Sequence, residues 1–168
     1  MIIREASISD ALSIAKVNVD TWRTTYKGIL SNDYLDNLSY EQREQTMKNI
    51  INNSRKDGIS IFVAEESING IVGFSTCGKE RCNDKIYRGE LYSIYIIKEY
   101  QNKGIGRLLL NHVQERLSSQ KLCPMLIWVL EDNKLACNFY EIRGGKRIKE
   151  RYVNIENESF KEVAYGFI

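Results

Sequence analysis

The stretch Ser93–Leu110, SIYIIKEYQNKGIGRLLL, joins two hydrophobic patterns through a glycine-containing turn. Ile94-Tyr95-Ile96-Ile97 is a β-branched, apolar run, which predicts a buried strand. From Ile105 onward Leu108, Leu109 and Val113 recur at spacings of three and four, which predicts a helix. Between them lies Gln101-Asn102-Lys103-Gly104-Ile105-Gly106. A strand that passes through such a turn into a helix leaves backbone N–H groups unpaired at the positive end of the helix dipole, a place that suits a phosphate. Gly104 and Gly106 have no Cβ and let an anion approach the backbone, while Lys103 and Arg107 add positive charge. The spacing is neither G-x-x-x-x-G-K-[ST] nor G-x-G-x-x-G, so a nucleoside triphosphate loop and a dinucleotide fingerprint are both excluded.

The chain around this stretch is that of an ordinary globular protein. Its 168 residues suffice for one domain, residues 1–168, with a core that needs no staples. Hydrophobic residues make up 43% and charged residues 27%, and the net charge of +2 is too small to mark nucleic acid as the main partner. Cys77, Cys82, Cys123 and Cys137 form no C-x-x-C pair, and the single histidine, His112, is distant from them, so no metal site is expected. No signal peptide and no long apolar run is present, so no membrane partner is expected, and free thiols in such a chain point to the cytoplasm.

Taken in order, Met1–Glu5 reads as a strand, and Ser9 or Asp10 as the cap of a helix from Ala11 that carries Trp22 and Tyr26 on one face. Those two rings are either core or the wall of a binding pocket. A short helical turn over Asn32–Leu38 is followed by a capping-box pattern at Ser39 that opens a helix to about Arg55. Ile59–Glu65 and Ile71–Lys79 form a hairpin about Asn69-Gly70, and Glu80–Arg88 is a loop. The strand Gly89–Ile97 leads through the turn to the helix Gly104–Gln120. A strand over Met125–Glu131 follows it across a helical crossover, so the two strands should be parallel. A helix over Asn133–Ile142 stops at Gly144-Gly145, and Lys146–Ile155 with Ser159–Phe167 makes a final hairpin whose strands could also serve a homodimer. The expected class is α+β: a mostly antiparallel mixed sheet with one parallel pair, flanked by helices.

Within the last helix, Leu135, Phe139 and Ile142 are expected to form the core stripe, while Asn133, Ala136 and Tyr140 share another face. Seven residues at 1.5 Å rise separate Asn133 from Tyr140 by about 10 Å. The hexapeptide 101–106, followed by Asn133, Ala136-x-x-Phe139-Tyr140 and a glycine stop, resembles the GCN5-related N-acetyltransferases, the GNAT superfamily. The two motifs cover about Glu90–Lys146, and the predicted order of elements matches the family over nearly the whole chain.

The resemblance implies acetyl-CoA as cosubstrate and direct transfer of its acetyl group to a primary amine in a ternary complex. It implies that Ile94, Tyr95, Ile96, Gln101, Asn102, Lys103, Gly104, Ile105, Gly106, Arg107, Asn133, Ala136 and Tyr140 contact the coenzyme, and that the first helices, with Trp22 and Tyr26, help form the acceptor pocket. Tyr140 would act on the leaving sulfur: a thiolate forms with a reference pKa of about 8.5, and a phenol near 10 is still protonated to meet it. An amine of pKa about 10.4 is only about 0.1% neutral at pH 7, so a base is useful, and Glu90 is the candidate, directly or through water. Glu90 reads equally as a surface-strand carboxylate. Two departures from the family are Trp128, at a position where other members place an acid, and Lys98, where they often have proline. A non-catalytic acyl-CoA-binding module or sensor is the alternative, disfavoured by Tyr140. The acceptor (small amine, polyamine, aminoglycoside or protein N-terminus) is open, with its determinants expected in the first two helices and in the Glu80–Arg88 loop.

Overall fold

A computed structural model describes residues 1–168. Seven strands, β1 (Ile2–Glu5), β2 (Ser60–Glu66), β3 (Gly70–Lys79), β4 (Gly89–Ile96), β5 (Met125–Leu130), β6 (Lys146–Ile155) and β7 (Glu158–Phe167), form one sheet in the order β1-β2-β3-β4-β5-β7-β6. Every neighbouring pair is antiparallel except β4 and β5, which are parallel as the crossover between them requires. The helices are α1 (Ala11–Thr25), α2 (Asn32–Asp36), α3 (Tyr40–Asp57), α4 (Ile105–Ser119) and α5 (Lys134–Ile142). None is long and apolar enough to cross a membrane.

Strand alternation sorts the core into two layers. Phe62, Ala64, Val72 and Leu91 face Ile105, Leu109, Val113 and Leu117 of α4, and Tyr140 of α5, on one side of the sheet. Ile61, Val63 and Phe74 face Ala11, Ile14 and Val17 of α1, and Met47 of α3, on the other. Their neighbours Tyr26, Leu30, Leu35 and Leu130 extend the second layer toward β5. Both faces of the central strands are therefore covered, and loops on either side can reach the β4–β5 junction.

Local signals place the helix ends. Ser39 Oγ accepts from the Gln42 N–H at 3.2 Å and caps α3, and Gly58 ends it with φ +67°. The expected cap of α1 is different: neither Ser9 nor Asp10 offers a side-chain cap there. The Asp10 carboxylate instead takes two Arg4 N–H bonds, at 2.7 and 3.0 Å, and the Ser7 backbone N–H at 2.7 Å, because a buried carboxylate gains more from a guanidinium than from one helical N–H.

Candidate active site

The parallel pair opens into a wedge. β4 and β5 are paired only at Gly89↔Met125 and Glu90↔Leu126, although both strands run on for several residues. Beyond that point Tyr92–Ile96 and Ile127–Leu130 diverge and line a cavity of about 540 Å³, within the range of small-molecule sites. Residues of α4 and α5 line one end and residues of α1 the other, so the cavity passes through the sheet from one face to the opposite face. Diverging parallel strands leave backbone N–H and C=O groups of β4 and β5 facing the gap, and an extended amide-bearing ligand can satisfy such groups.

At the α4 end the first intrahelical bond is donated by Leu108 to the Gly104 carbonyl, which leaves the N–H groups of Ile105, Gly106 and Arg107 without a partner inside the helix. Gly104 sits at φ +81° and Asn102 at φ 59°, so two left-handed residues wind the chain into the helix start. Gln101 donates from Nε2 to the Ile96 carbonyl at 2.9 Å and ties this turn to the end of β4. Gln101, Asn102 and Arg107 line the cavity, while Lys103 and Ile105 do not. Lys103 lies over the Tyr100 ring at 4.9 Å, and Ile105 is a core residue. Gly106 serves packing as well as approach: a Cβ there would meet the Phe139 ring at 3.2 Å, where α5 crosses the start of α4.

The orientation of α5 corrects the expected core stripe. Leu135 is 55% exposed and Ile142 65% exposed; Asn133, Cys137 and Tyr140 are the buried residues. Leu135, Phe139 and Ile142 form an apolar wall of the cavity, with Arg143 also lining it, and of the three only Phe139 also packs against the core. The helix turns its apolar side to the gap because polar Asn133 is fixed inward as N-cap, its Oδ1 accepting from the Ala136 N–H at 3.1 Å. Ala136 lines the cavity one turn further on.

Tyr140 lines the cavity, 2% exposed, its ring packed with Phe139, Tyr165 and Phe167. Burial holds its phenol well above the ordinary tyrosine range, and the nearby Tyr95 adds to the shift. Burial does the same to Tyr26 and Tyr95, and Asn133 beside Tyr26 partly offsets it there. Tyr92, on the cavity wall, is pushed up to about 12 by burial and then by the charge of Glu90. The site is thus lined with phenols that stay neutral donors at physiological pH.

The far end is aromatic. Trp22 and Tyr26 stand edge to face at 5.0 Å, Tyr95 lies 6.4 Å from Trp22, and Trp128 completes the lining on β5. Tyr26 is a core residue that also lines the cavity. The Glu80–Arg88 loop does not line the cavity: Glu80 accepts the N–H groups of Cys82 and Asp84 at 2.7 and 2.8 Å, which draws the loop onto itself. No residue of α2 lines it either.

Glu90, the candidate base, does not line the cavity. It sits at the closed foot of the wedge, 1% exposed and outside the cavity, where its carboxylate takes Arg81 Nη2 at 2.5 Å, Nε at 3.2 Å and the Arg81 backbone N–H at 3.1 Å. So engaged, the carboxylate does not face the space in the cavity that an acceptor would occupy. The carboxylate that does line the cavity is Glu162 of β7, opposite Leu130. Its signal in the sequence is slight: in Phe160-x-Glu162-x-Ala164-x-Gly166 it is a charge between apolar residues at alternate positions of the strand.

The sequence matches the Acetyltransferase (GNAT) family over residues 20–144. It is 38% identical over 165 residues to the uncharacterized N-acetyltransferase YuaI of Bacillus subtilis, covering 98% of this chain and 91% of that one. It is 26% identical to a spermidine N(1)-acetyltransferase of Thermoplasma acidophilum, over 86% and 87% of the two chains. The fold superposes on the PaiA N-acetyltransferase of T. acidophilum in complex with coenzyme A with a TM-score of 0.77, at 23% identity and over 99% and 98% of the chains. A ribosomal-protein-alanine N-acetyltransferase from Brucella melitensis gives 0.77 at 21% identity, over 100% and 99% of the chains. With a wedge between β4 and β5, a glycine turn at the start of α4 and a family match across most of its length, this chain belongs to the GNAT acetyltransferases.

Proposed function

We propose that the protein transfers the acetyl group of acetyl-CoA to a primary amine by direct attack within a ternary complex. The observation that carries this reading is the cavity through the sheet, with a phosphate-suited helix start on one face, an aromatic box on the other and Tyr140 between them. The chain's own groups fit the coenzyme. Arg107 and Arg143 line the cavity beside the free N–H groups of α4 and form no ion pair within the chain, so both are available to a pyrophosphate. The apolar wall of Leu135, Phe139 and Ile142 and the open edge of β4 suit an extended arm of alternating methylenes and amides.

Bound acetyl-CoA supplies a thioester carbonyl open to an amine. The β4 edge orients that group in the wedge, and the aromatic lining excludes water from it. The acceptor gives one proton to solvent as it enters, its nitrogen loses a second as the C–N bond forms and the C–S bond breaks, and the coenzyme leaves as a thiolate that then takes up a proton; Tyr140 donates a hydrogen bond to that departing sulfur. Its phenol is held above its usual range while a thiol titrates at about 8.5, so it stabilises the thiolate as a donor without giving the proton up completely. Direct transfer is supported over an acyl-enzyme because no cysteine lines the cavity. Burial also pushes the Cys77 thiol up to about 12 and raises that of Cys137, which keeps both from being nucleophiles. A panel of primary amines incubated with acetyl-CoA and assayed for thiol release tests the proposal. Amine-dependent release with a mass gain of one acetyl group on the amine is expected. Coenzyme binding without release would leave an acyl-CoA-binding module or sensor instead.

A further inference from the structure

Resting on that reading, we propose that Glu162 anchors the acceptor as its ammonium, and that the acceptor is a primary amine cationic at neutral pH. Three charged residues line the cavity, and they are divided by sign and by place: Arg107 and Arg143 at the α4–α5 end, Glu162 at the other. Glu162 sits on the sheet face opposite Val163 and Tyr165, which face the α4–α5 side, and its partners across the strands put it beside Leu130 and the aromatic box. It lines the same cavity as Trp22, Tyr26, Tyr95 and Trp128, which puts the residue at the box.

The carboxylate is held for this task. Arg151 Nε donates to Oε2 at 2.7 Å, leaving Oε1 outside that bond, and the Glu162 side chain is 17% exposed. Arg151 also stacks 4.0 Å over the Trp128 ring, and Arg43 lies 5.9 Å over Trp22, yet neither arginine lines the cavity. Each indole therefore carries a guanidinium while another part of its ring lines the cavity. An alkylammonium in the box meets π surfaces of Trp22, Tyr26, Tyr95 and Trp128 and the Oε1 side of a carboxylate whose other oxygen is paired with Arg151. A neutral amine gains only the apolar part of that contact. Arg151 is a positioning residue in this scheme, since it touches Glu162 and Trp128 and not the acceptor.

The test compares wild type with Glu162→Gln and Glu162→Asp, using the most active cationic amine of the panel and methoxyamine, which is uncharged at neutral pH. Glu162→Gln should raise KM for the cationic amine tenfold or more, leave KM for methoxyamine and the affinity for coenzyme A unchanged, and Glu162→Asp should recover part of the loss. Binding is read separately, in the coenzyme A complex, from the fluorescence of the two tryptophans, both in the box. A titration in which Glu162→Gln weakens amine binding supports the anchor even if no amine is turned over, an outcome that would reject the acetyltransferase reading alone. Equal midpoints for wild type and Glu162→Gln, equal KM changes for both amines, or no amine-dependent fluorescence change in wild type overturns the proposal.

Discussion

Tyr140→Phe removes one oxygen from a residue of the cavity wall and keeps the ring that packs on Phe139, Tyr165 and Phe167. No side chain of the protein holds the Tyr140 hydroxyl, so its loss breaks no internal hydrogen bond. Folding stability should therefore change by less than about 1 kcal/mol, and toward greater stability where the hydroxyl is desolvated without a partner. The chemical step should respond quite differently. A donor to a leaving group is worth about 10²–10⁴ in rate, or about 3–5 kcal/mol at 1.36 kcal/mol per decade. Since the bond strengthens only as the sulfur gains charge, kcat and kcat/KM should fall together while coenzyme A affinity stays within a factor of about two. A thioester of a more acidic thiol should recover part of the loss. Because burial keeps the phenol protonated well past pH 10, Tyr140 should add no alkaline limb to the pH–rate profile of wild type. The measurements are steady-state kinetics, calorimetry with coenzyme A and thermal melts on the same preparations. A variant that keeps kcat but loses coenzyme affinity would refute this account and make Tyr140 a binding residue.

Gly104→Val places a β-branched residue at φ +81° and misaligns the free N–H groups that follow, so coenzyme A affinity measured by calorimetry should fall at least about tenfold, or 1.4 kcal/mol. Unchanged affinity would remove the turn from the binding site. Glu90→Gln should lower the melting temperature by weakening the bond to Arg81, at a cost of about 1–3 kcal/mol since the guanidinium is half exposed, and should leave the shape of the pH–rate profile as in wild type. A lost acidic limb would return Glu90 to catalysis. The Arg4 guanidinium holds Asp10 at about 2, below its ordinary 3.8, so its contribution is present above pH 4 and is lost as pH falls toward 2; Asp10→Asn should flatten that part of the stability curve. At the other extreme Tyr26, Tyr95 and Tyr140 are raised above 10, so the unfolded chain releases their protons first and stability should decline as pH rises past 10.

What could be read from the chain alone was whatever neighbouring residues encode. The run from Ile94 to Val113 specifies strand, turn and helix by changes of hydrophobic period, and the crossover it creates requires β4 and β5 to be parallel. Asn133 and Tyr140 lie seven apart on one helix, so their shared face followed from helical geometry. The direction of that helix about its own axis did not, because Leu135, Phe139 and Ile142 make as good a core stripe as Asn133, Cys137 and Tyr140 until Asn133 is used as a cap and the wedge opens beside them. Glu90 and Glu162 show the same division. Each is a single carboxylate on a predicted strand. One is sealed by Arg81 at the foot of the wedge and the other faces the aromatic box, and this depends on where β4 and β5 stop pairing and on β7 lying beside β5. Those are contacts between residues far apart in the chain, set by the packing of the whole sheet, and no local period or spacing carries them.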